Sequence, residues 1–99
     1  MKHLAVIETN ITDASWCDDY VKNVTPMLVE YGGRYLTRSP NITLLEGSEK
    51  PQFSIVAEFP SKEAALNFYD SAAYAPYKTV RLRGSTSKFM LVAVENATE

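Results

Sequence analysis

The stretch Glu30–Arg38 reads EYGGRYLTR and joins a helical pattern to a strand-like one. Gly32 and Gly33 fall between the two patterns, and glycine commonly ends a helix because it adopts the left-handed conformation without strain. The alternating residues that follow predict a strand beginning at Arg34. This junction raises the question whether Arg34 and Tyr35 are placed for chemistry or only for packing.

Strand and helix patterns also account for the rest of the chain. HLAVIETNI (residues 3–11) and FSIVAEF (53–59) alternate as strands do, and KFMLVAVE (88–95) is the predicted last strand. An apolar helical stripe precedes the glycine pair, and a second helical region, broken near Pro76, ends at Gly84. The order is therefore β-α-β-β-α-β, which predicts a ferredoxin-like α+β sandwich: a four-stranded antiparallel sheet with helices on one face.

Two segments allow more than one local structure. Pro26 lies inside the first helix and is expected to kink or restart it, because proline lacks the amide donor and clashes with the preceding turn. The segment NITLLEG, residues 41–47, either extends the second strand or folds back on it.

The sheet face away from the helices is apolar in this topology. In a monomer it would expose Leu4, Val6 and Val56 on the central strands. The last strand adds one of two alternating sets, either Phe89 and Leu91 or Met90, Val92 and Val94. Exposed apolar patches of this kind mark interfaces. We therefore predict a homodimer whose two sheets face each other and bury this side.

Composition excludes several classes of protein. The 99 residues predict one domain spanning residues 1–99. A formal net charge of −2 gives no basic surface for nucleic acid, and the apolar runs are too short to span a membrane. The single cysteine, Cys17, excludes an intrachain disulfide, and with no signal-peptide pattern we expect a cytoplasmic protein.

Several motifs together resemble a bacterial family catalogued as domain of unknown function 1330: YGGRYL, LLEG, AEFPSKEAALNFYDSAAY and FMLVAVE, with the opening VIETNITDASWCDDY. Two departures are Ala14, where a proline is common, and a SEKPQ turn without the usual tryptophan. The resemblance implies the dimeric α+β barrel superfamily, which includes cofactor-free monooxygenases, lactone isomerases, haem proteins and stress-related proteins. The family itself has no established reaction, so the resemblance implies the fold and the dimer and leaves the function open.

The antiparallel strands are expected to gather four candidate residues at one end of the sheet: His3, Arg34, Tyr35 and Glu58. One interpretation is a cavity in which Arg34 binds a carboxylate and Glu58, with its pKa raised by burial, acts as acid or base. Arg34, Tyr35 and Glu58 are then the candidate catalytic residues. The other interpretation is a structural Arg34–Glu58 ion pair that fixes the dimer.

Further candidate ligand-binding residues lie in the first strand and in the second helical region. Glu8 could line the same elongated cavity at a distance from Glu58 on the order of 10 Å, or pair with a basic residue at the sheet edge. Tyr69, Tyr74 and Arg81 could close a lid over a polar aromatic ligand. The alternative is that the tyrosines are packing residues with a solvated hydroxyl.

The sequence offers little for metals or cofactors. His3 is the sole histidine and the chain has no cysteine pair, which argues against a zinc site. Haem would need an axial ligand, and His3, at the start of the chain, is poorly placed to be one. Cys17 stands next to Asp18 and Asp19, whose charges raise a thiol pKa and disfavour a nucleophile. No phosphate loop, dinucleotide fingerprint or serine elbow occurs, so we expect no cofactor.

Two functional hypotheses follow. The first is a barrel cavity of roughly 300 Å³ or more that binds or converts a small organic or aromatic acid without metal or nucleotide. The chemistry would resemble an isomerase or a cofactor-free monooxygenase. The second is a non-catalytic dimeric stress or regulatory module whose apolar sheet face serves assembly alone.

Overall fold

The computed structural model describes residues 1–98. Along the chain the elements are β1 (His3–Ile11), a 3-10 turn (Ala14–Trp16), α1 (Cys17–Glu30), β2 (Arg34–Ser39), β3 (Phe53–Phe59), α2 (Lys62–Tyr69), α3 (Ala75–Gly84) and β4 (Ser85–Ala93). The strands form one sheet in the order β2–β3–β1–β4, and every neighbouring pair is antiparallel. The predicted ferredoxin-like α+β fold is confirmed.

Side-chain caps begin two of the helical segments. Asp13 accepts a hydrogen bond from the Ser15 amide at 2.9 Å before the 3-10 turn, and Ser61 accepts one from the Ala64 amide at 3.0 Å at the start of α2. The α1 helix continues through Pro26 and does not restart there. Pro26 is exposed, so the carbonyl that loses its amide partner lies on the solvent side of the helix.

The structure corrects three predicted boundaries. The last strand begins at Ser85 and ends at Ala93, because α3 leads directly into a polar stretch that pairs with the end of β1. The segment 41–47 is a loop without strand structure. The second helical region breaks between Tyr69 and Ala75, and Pro76 stands in the first turn of α3, where a missing amide donor costs nothing.

The hydrophobic core lies between the sheet and the helices. Its buried apolar members are Ala5, Ile7, Val24, Leu28, Ala57, Phe59, Ala65, Phe68 and Tyr74. The opposite face of the sheet, which we call the open face, carries Leu4, Val6, Val56, Met90 and Val92. Met90 and Val92 are 44% and 48% exposed. The sequence left two sets possible on the last strand, and the structure places Met90 and Val92 on the open face while Phe89 and Leu91 pack on the core.

A β-bulge in β2 decides which of its side chains face the helices. Arg34 pairs with Glu58 and Tyr35 with Ala57, but Thr37 pairs with Val56, so Leu36 is the extra residue. An extra residue shifts the two-residue alternation by one position. As a result Tyr35 and, three residues later, Arg38 both lie on the helix side of the sheet.

The two glycines that end α1 are required for different reasons. Gly32 has a φ of +86°, a left-handed conformation that glycine adopts without strain. At Gly33 the constraint is space, because a β-carbon there would lie 2.7 Å from Leu28 Cδ2 and 2.8 Å from Phe59 Cε1. The end of α1 can therefore approach β3 this closely only without a side chain at residue 33.

We expect the substitution Gly33→Ala to lower the free energy of unfolding by about 1–3 kcal/mol, the usual cost of overpacking a core. Urea denaturation monitored by circular dichroism measures this change. In a Leu28→Ala background the same substitution should cost less, since one of the two clashing groups is gone. An undiminished cost would contradict the steric explanation.

Candidate functional site

A cavity of about 320 Å³ opens between the sheet and the helices. It lies where β1 ends and β3 begins, under α1 and beside α3. Its lining residues are Ile7, Thr9, Ile11, Trp16, Cys17, Tyr20, Val21, Tyr35, Arg38, Phe53, Ile55 and Arg81. The walls are mainly apolar and aromatic, and its two charged members are both arginines. This cavity is on the face of the sheet opposite to the one we predicted.

The bulge at Leu36 brings Tyr35 and Arg38 to one side of this cavity. The Arg38 guanidinium lies over the Tyr35 ring at 4.0 Å from its centroid, a favourable cation–π contact. Arg38 Nη1 also donates a hydrogen bond to Thr25 Oγ1 at 2.9 Å. Burial raises the pKa of Tyr35 above its ordinary value, although the Arg38 charge opposes the rise. Tyr35 therefore presents a protonated hydroxyl.

A hydrogen-bonded chain of three side chains links Arg81 on α3, through Tyr74, to Tyr20 on α1. Arg81 Nε donates to Tyr74 Oη at 3.3 Å, and the Tyr74 and Tyr20 hydroxyls are hydrogen-bonded at 2.5 Å. Burial is the largest cause that raises the pKa of Tyr20. For Arg81, burial favours a lower pKa, but the two tyrosine hydroxyls outweigh it and the net pKa is raised. The guanidinium is therefore charged, and Tyr20 remains a hydrogen-bond donor.

The end of α3 is tied to the start of the first helical segment. Trp16 Nε1 donates to the Gly84 carbonyl at 3.2 Å, and the Thr12 and Asp13 amides donate to the same oxygen at 2.9 and 3.1 Å. Gly84 stands one helical turn after Arg81, so these bonds fix both the indole and the guanidinium at the cavity wall.

Cys17 also lines this cavity. Burial, followed by the charges of Asp18 and Asp13, raises the pKa of the Cys17 thiol. The sequence analysis predicted a raised pKa from the charges of Asp18 and Asp19. In the structure the contributing charges are those of Asp18 and Asp13. A protonated thiol is a poor nucleophile, so Cys17 contributes to the apolar wall.

Arg34 and Glu58 form the predicted cross-strand pair, and the pair lies on the open face, the side on which the barrel was predicted. Arg34 Nε donates to Glu58 Oε2 at 2.7 Å, and Lys2 Nζ lies 3.2 Å from Glu58 Oε1. Hydrogen bonds from Arg34 and then Lys2 lower the pKa of Glu58. The expected rise in its pKa is therefore wrong, because two cations adjoin the carboxylate. The surface depression beside this pair has a volume of only about 130 Å³. Tyr35 does not join it, because its side chain lies on the helix side of the sheet.

The remaining candidates are dispersed. Glu8 pairs in register with Ser54 and Lys88 on the open face, and within residues 1–98 it has no ion pair closer than 4.0 Å. His3 Nδ1 lies 3.1 Å from the Met1 carbonyl at the surface.

The tyrosines of the second helical region pack and do not form a lid. Tyr74 is fully buried, with its ring centroid 4.5 Å from that of Phe68. Tyr69 packs edge-on against Phe89 at 5.0 Å. Of the residues predicted in this region, Arg81 is the one that lines the cavity.

Sequence reasoning missed Trp16, Tyr20 and Arg38 as cavity residues. Trp16 and Tyr20 were visible in the apolar stripe of the first helix, but a stripe does not distinguish a packed core from a cavity wall. Arg38 gave no signal, because regular alternation after Arg34 puts it on the open face. The bulge that moves it is a property of the paired strands.

Among the residues that the structure describes, no group of three or more histidine, cysteine, aspartate or glutamate side chains could hold a metal ion. Within the same residues no helix is long and apolar enough to cross a membrane. What the cavity can do chemically is enclose an apolar ring, offer tyrosine hydroxyls as donors and complement negative charge.

The fold and this cavity define a small ferredoxin-like α+β protein with a pocket between sheet and helices. The sequence profile described as domain of unknown function (DUF1330) matches residues 2–96. The chain belongs to the DUF1330 family. No curated protein matches it.

Solved structures with the same fold include three informative neighbours. RPA0582, a protein of unknown function from Rhodopseudomonas palustris, has a TM-score of 0.77 at 15% identity, over 92% of this chain and 80% of that one. SnoaB, a cofactor-independent oxygenase from Streptomyces nogalater, has a TM-score of 0.71 at 14% identity, over 97% and 95%. A dimeric ferredoxin-like protein of unknown function from Jannaschia sp. CCS1 has a TM-score of 0.71 at 11% identity, over 95% and 100%.

We expect Glu58→Gln to make the stability of the protein less dependent on pH under acidic conditions. A carboxylate whose pKa is lowered by folding stabilises the protein above its unfolded pKa, close to 4.5, and this contribution is lost as pH falls through the lower folded pKa. Urea midpoints measured from about pH 6 downward should therefore fall less steeply in the variant. Glu49→Gln, in the β2–β3 loop, is the control, and an unchanged slope for Glu58→Gln would contradict the pairing.

Proposed function

We propose that this protein binds, or converts, a small organic or aromatic acid in the cavity between sheet and helices, without metal or nucleotide. The observation that carries the proposal is a 320 Å³ space walled by aromatic rings, whose two charged lining residues are arginines. Ligand pockets are typically apolar clefts of this size with a few convergent polar groups. An aromatic acid supplies the matching ring and the matching charge.

Cofactor-free chemistry is the proposed mode if the protein is an enzyme. SnoaB, whose backbone is similar, is described as a cofactor-independent oxygenase. The sequence contains one histidine and one cysteine and no nucleotide-binding motif. Tyr20 and Tyr35 line the cavity with hydroxyls that stay protonated at neutral pH, so they can donate to a developing negative oxygen. Isomerisation by proton transfer and oxygenation of an acidic carbon are the two reaction classes that such donors assist.

We further propose that the protein is a homodimer assembled through the open face. The Jannaschia protein with this fold is described as dimeric, and in this chain Met90 and Val92 expose apolar surface on the open face. The Arg34–Glu58 pair lies at the edge of that face, where an ion pair orients an interface more than it stabilises it. In this proposal Arg34 and Glu58 belong to the dimer interface, while Tyr35 and Arg81 line the ligand cavity.

Binding is measurable through Trp16, because it is the only tryptophan in the chain and it lines the cavity. We expect aromatic carboxylates such as cinnamate and naphthoate to quench or shift its fluorescence. The substitution Val21→Phe, which narrows the cavity from a half-exposed position, should weaken binding about tenfold or more, which corresponds to about 1.4 kcal/mol. Val29→Phe, on the outer side of the same helix, is the matched control and should bind as the wild type does.

A wild-type protein that binds none of these acids would contradict the proposed function. The apolar open face would then favour the alternative, a non-catalytic dimeric stress or regulatory module. Where binding is found, turnover is followed by oxygen uptake and by product mass. Activity that persists in the presence of a chelator would support the cofactor-free mode.

For the dimer, we expect Val6→Lys to shift the protein to a monomer in light scattering at micromolar concentration. Val6 lies on a central strand of the open face, and a buried unpaired charge opposes association of two such faces. A lysine on the free sheet face can extend into water, so the monomer should remain folded. Val29→Lys on the helix layer is the control, and a wild-type monomer would refute the assembly.

A further inference from the structure

Arg81 is a buried charge with an incomplete set of partners. The residue is 4% exposed, and its Nη2 is buried without a hydrogen-bond partner among residues 1–98. Burying a charged group that is neither paired nor fully hydrogen-bonded is costly, and arginine stays charged in proteins. A side chain placed in this way in a ligand-sized cavity calls for a partner of opposite charge.

The protein itself supplies Arg81 with neutral partners. Nε donates to Tyr74 Oη at 3.3 Å, and the guanidinium carbon lies 5.7 Å from the centroid of the Phe89 ring. Among residues 1–98 no carboxylate approaches Arg81 within 4.0 Å; both ion pairs that occur there belong to Glu58. Tyr74 therefore holds the guanidinium in place but does not neutralise it.

The cavity adds positive charge and no negative charge around this site. Arg38 is its other charged lining residue, and in the part of the chain that the structure describes no aspartate or glutamate lines it. Arg38 differs from Arg81 in being exposed, so water solvates its charge. The charge that is removed from water and left without a counter-ion is the one on Arg81.

We propose that Arg81 is the anion anchor of the cavity and that the ligand is a planar aromatic monocarboxylic acid. Its carboxylate would bind the Arg81 guanidinium, and its ring would lie among Trp16, Tyr20 and Tyr35. This inference rests on the function proposed above and makes it specific. Tyr74 is a positioning residue, since it acts through its hydrogen bond to Arg81.

Three features select this ligand class. The planar fork of arginine matches the two oxygens of a carboxylate. One buried cation balances one negative charge, whereas a dianion would leave a negative charge buried. A cavity of 320 Å³ lies at the lower end of ligand pockets, which limits the ligand to one or two rings.

The test compares naphthoate with naphthamide, which has nearly the same shape but no charge, using Trp16 fluorescence and calorimetry. We expect the wild type to bind naphthoate about tenfold or more tightly than naphthamide. Arg81→Met should remove this preference by weakening naphthoate binding and leaving naphthamide binding within about twofold of the wild type. Arg83→Met is the matched control: it removes an exposed arginine of the same helix that is not among the residues lining the cavity, and it should keep the preference.

A second readout separates an anchor from a structural residue. Replacing a poorly satisfied buried charge by an apolar side chain of similar length is often neutral or stabilising. The ligand-free Arg81→Met protein should therefore melt within about 4 °C of the wild type or above it. A larger fall would overturn the proposal in favour of a structural role.

The outcomes distinguish this inference from the function on which it rests. If naphthoate and naphthamide bind the wild type equally well, the cavity binds aromatic ligands and the anchor is wrong. If neither binds, the proposed function fails and the anchor fails with it. A preference that survives in Arg81→Met, or that disappears in Arg83→Met, overturns the assignment to Arg81. Should Arg81→Met not fold, Arg81→Lys keeps the charge without the fork, and unchanged naphthoate affinity in that variant would also overturn it.

Discussion

The pairing of β2 with β3 is the constraint on which both faces of this molecule depend. Arg34 lies opposite Glu58, and the two side chains meet at 2.7 Å on the open face. Two residues later the alternation slips at Leu36, so that Tyr35 and Arg38 both turn toward the helices. A regular strand would have placed Arg38 on the open face. The bulge therefore places Arg34 on the open face and Arg38 at the cavity.

The helix layer completes the cavity by approaching the sheet closely at one end and leaving space at the other. Gly33 lets the end of α1 pack against Phe59, where any β-carbon would overlap with the ring. At the opposite end of α1, Trp16 is held by its hydrogen bond to the Gly84 carbonyl. Trp16 and Tyr20 line the space of about 320 Å³ that lies between the helices and the strands at this end.

Electrostatics separates the two faces more clearly than shape does. On the open face the Glu58 carboxylate has two cations beside it, Arg34 and Lys2, and its pKa is lowered. Inside the cavity no carboxylate of the described residues, 1–98, lies within 4.0 Å of the Arg81 guanidinium. Groups that are already neutralised stabilise structure or assembly, and a buried charge without a counter-ion is a binding-site candidate. This contrast is the reason that the proposed site lies with Arg81.

The sequence by itself determined the order of the elements, the glycine-ended first helix and the antiparallel pairing that brings Arg34 to Glu58. These follow from local rules: residue periodicity, the conformations of glycine and the short connections of a split βαβ unit. The sequence also indicated Tyr74 and Arg81 as candidate residues, but it predicted that they form a lid. In the structure both side chains are buried. Burial of Tyr74 is a property of the assembled core.

Only the tertiary structure decided where the cavity lies, which face Tyr35 and Arg38 occupy, and that the pKa of Glu58 falls. A bulge depends on the fit between two strands, and a pKa depends on charges from distant parts of the chain, here Lys2 as well as Arg34. A cavity is the space that packed elements fail to fill, so no single segment encodes it. The same holds for Arg81, because only the packed structure shows that its Nη2 is buried without a hydrogen-bond partner among residues 1–98.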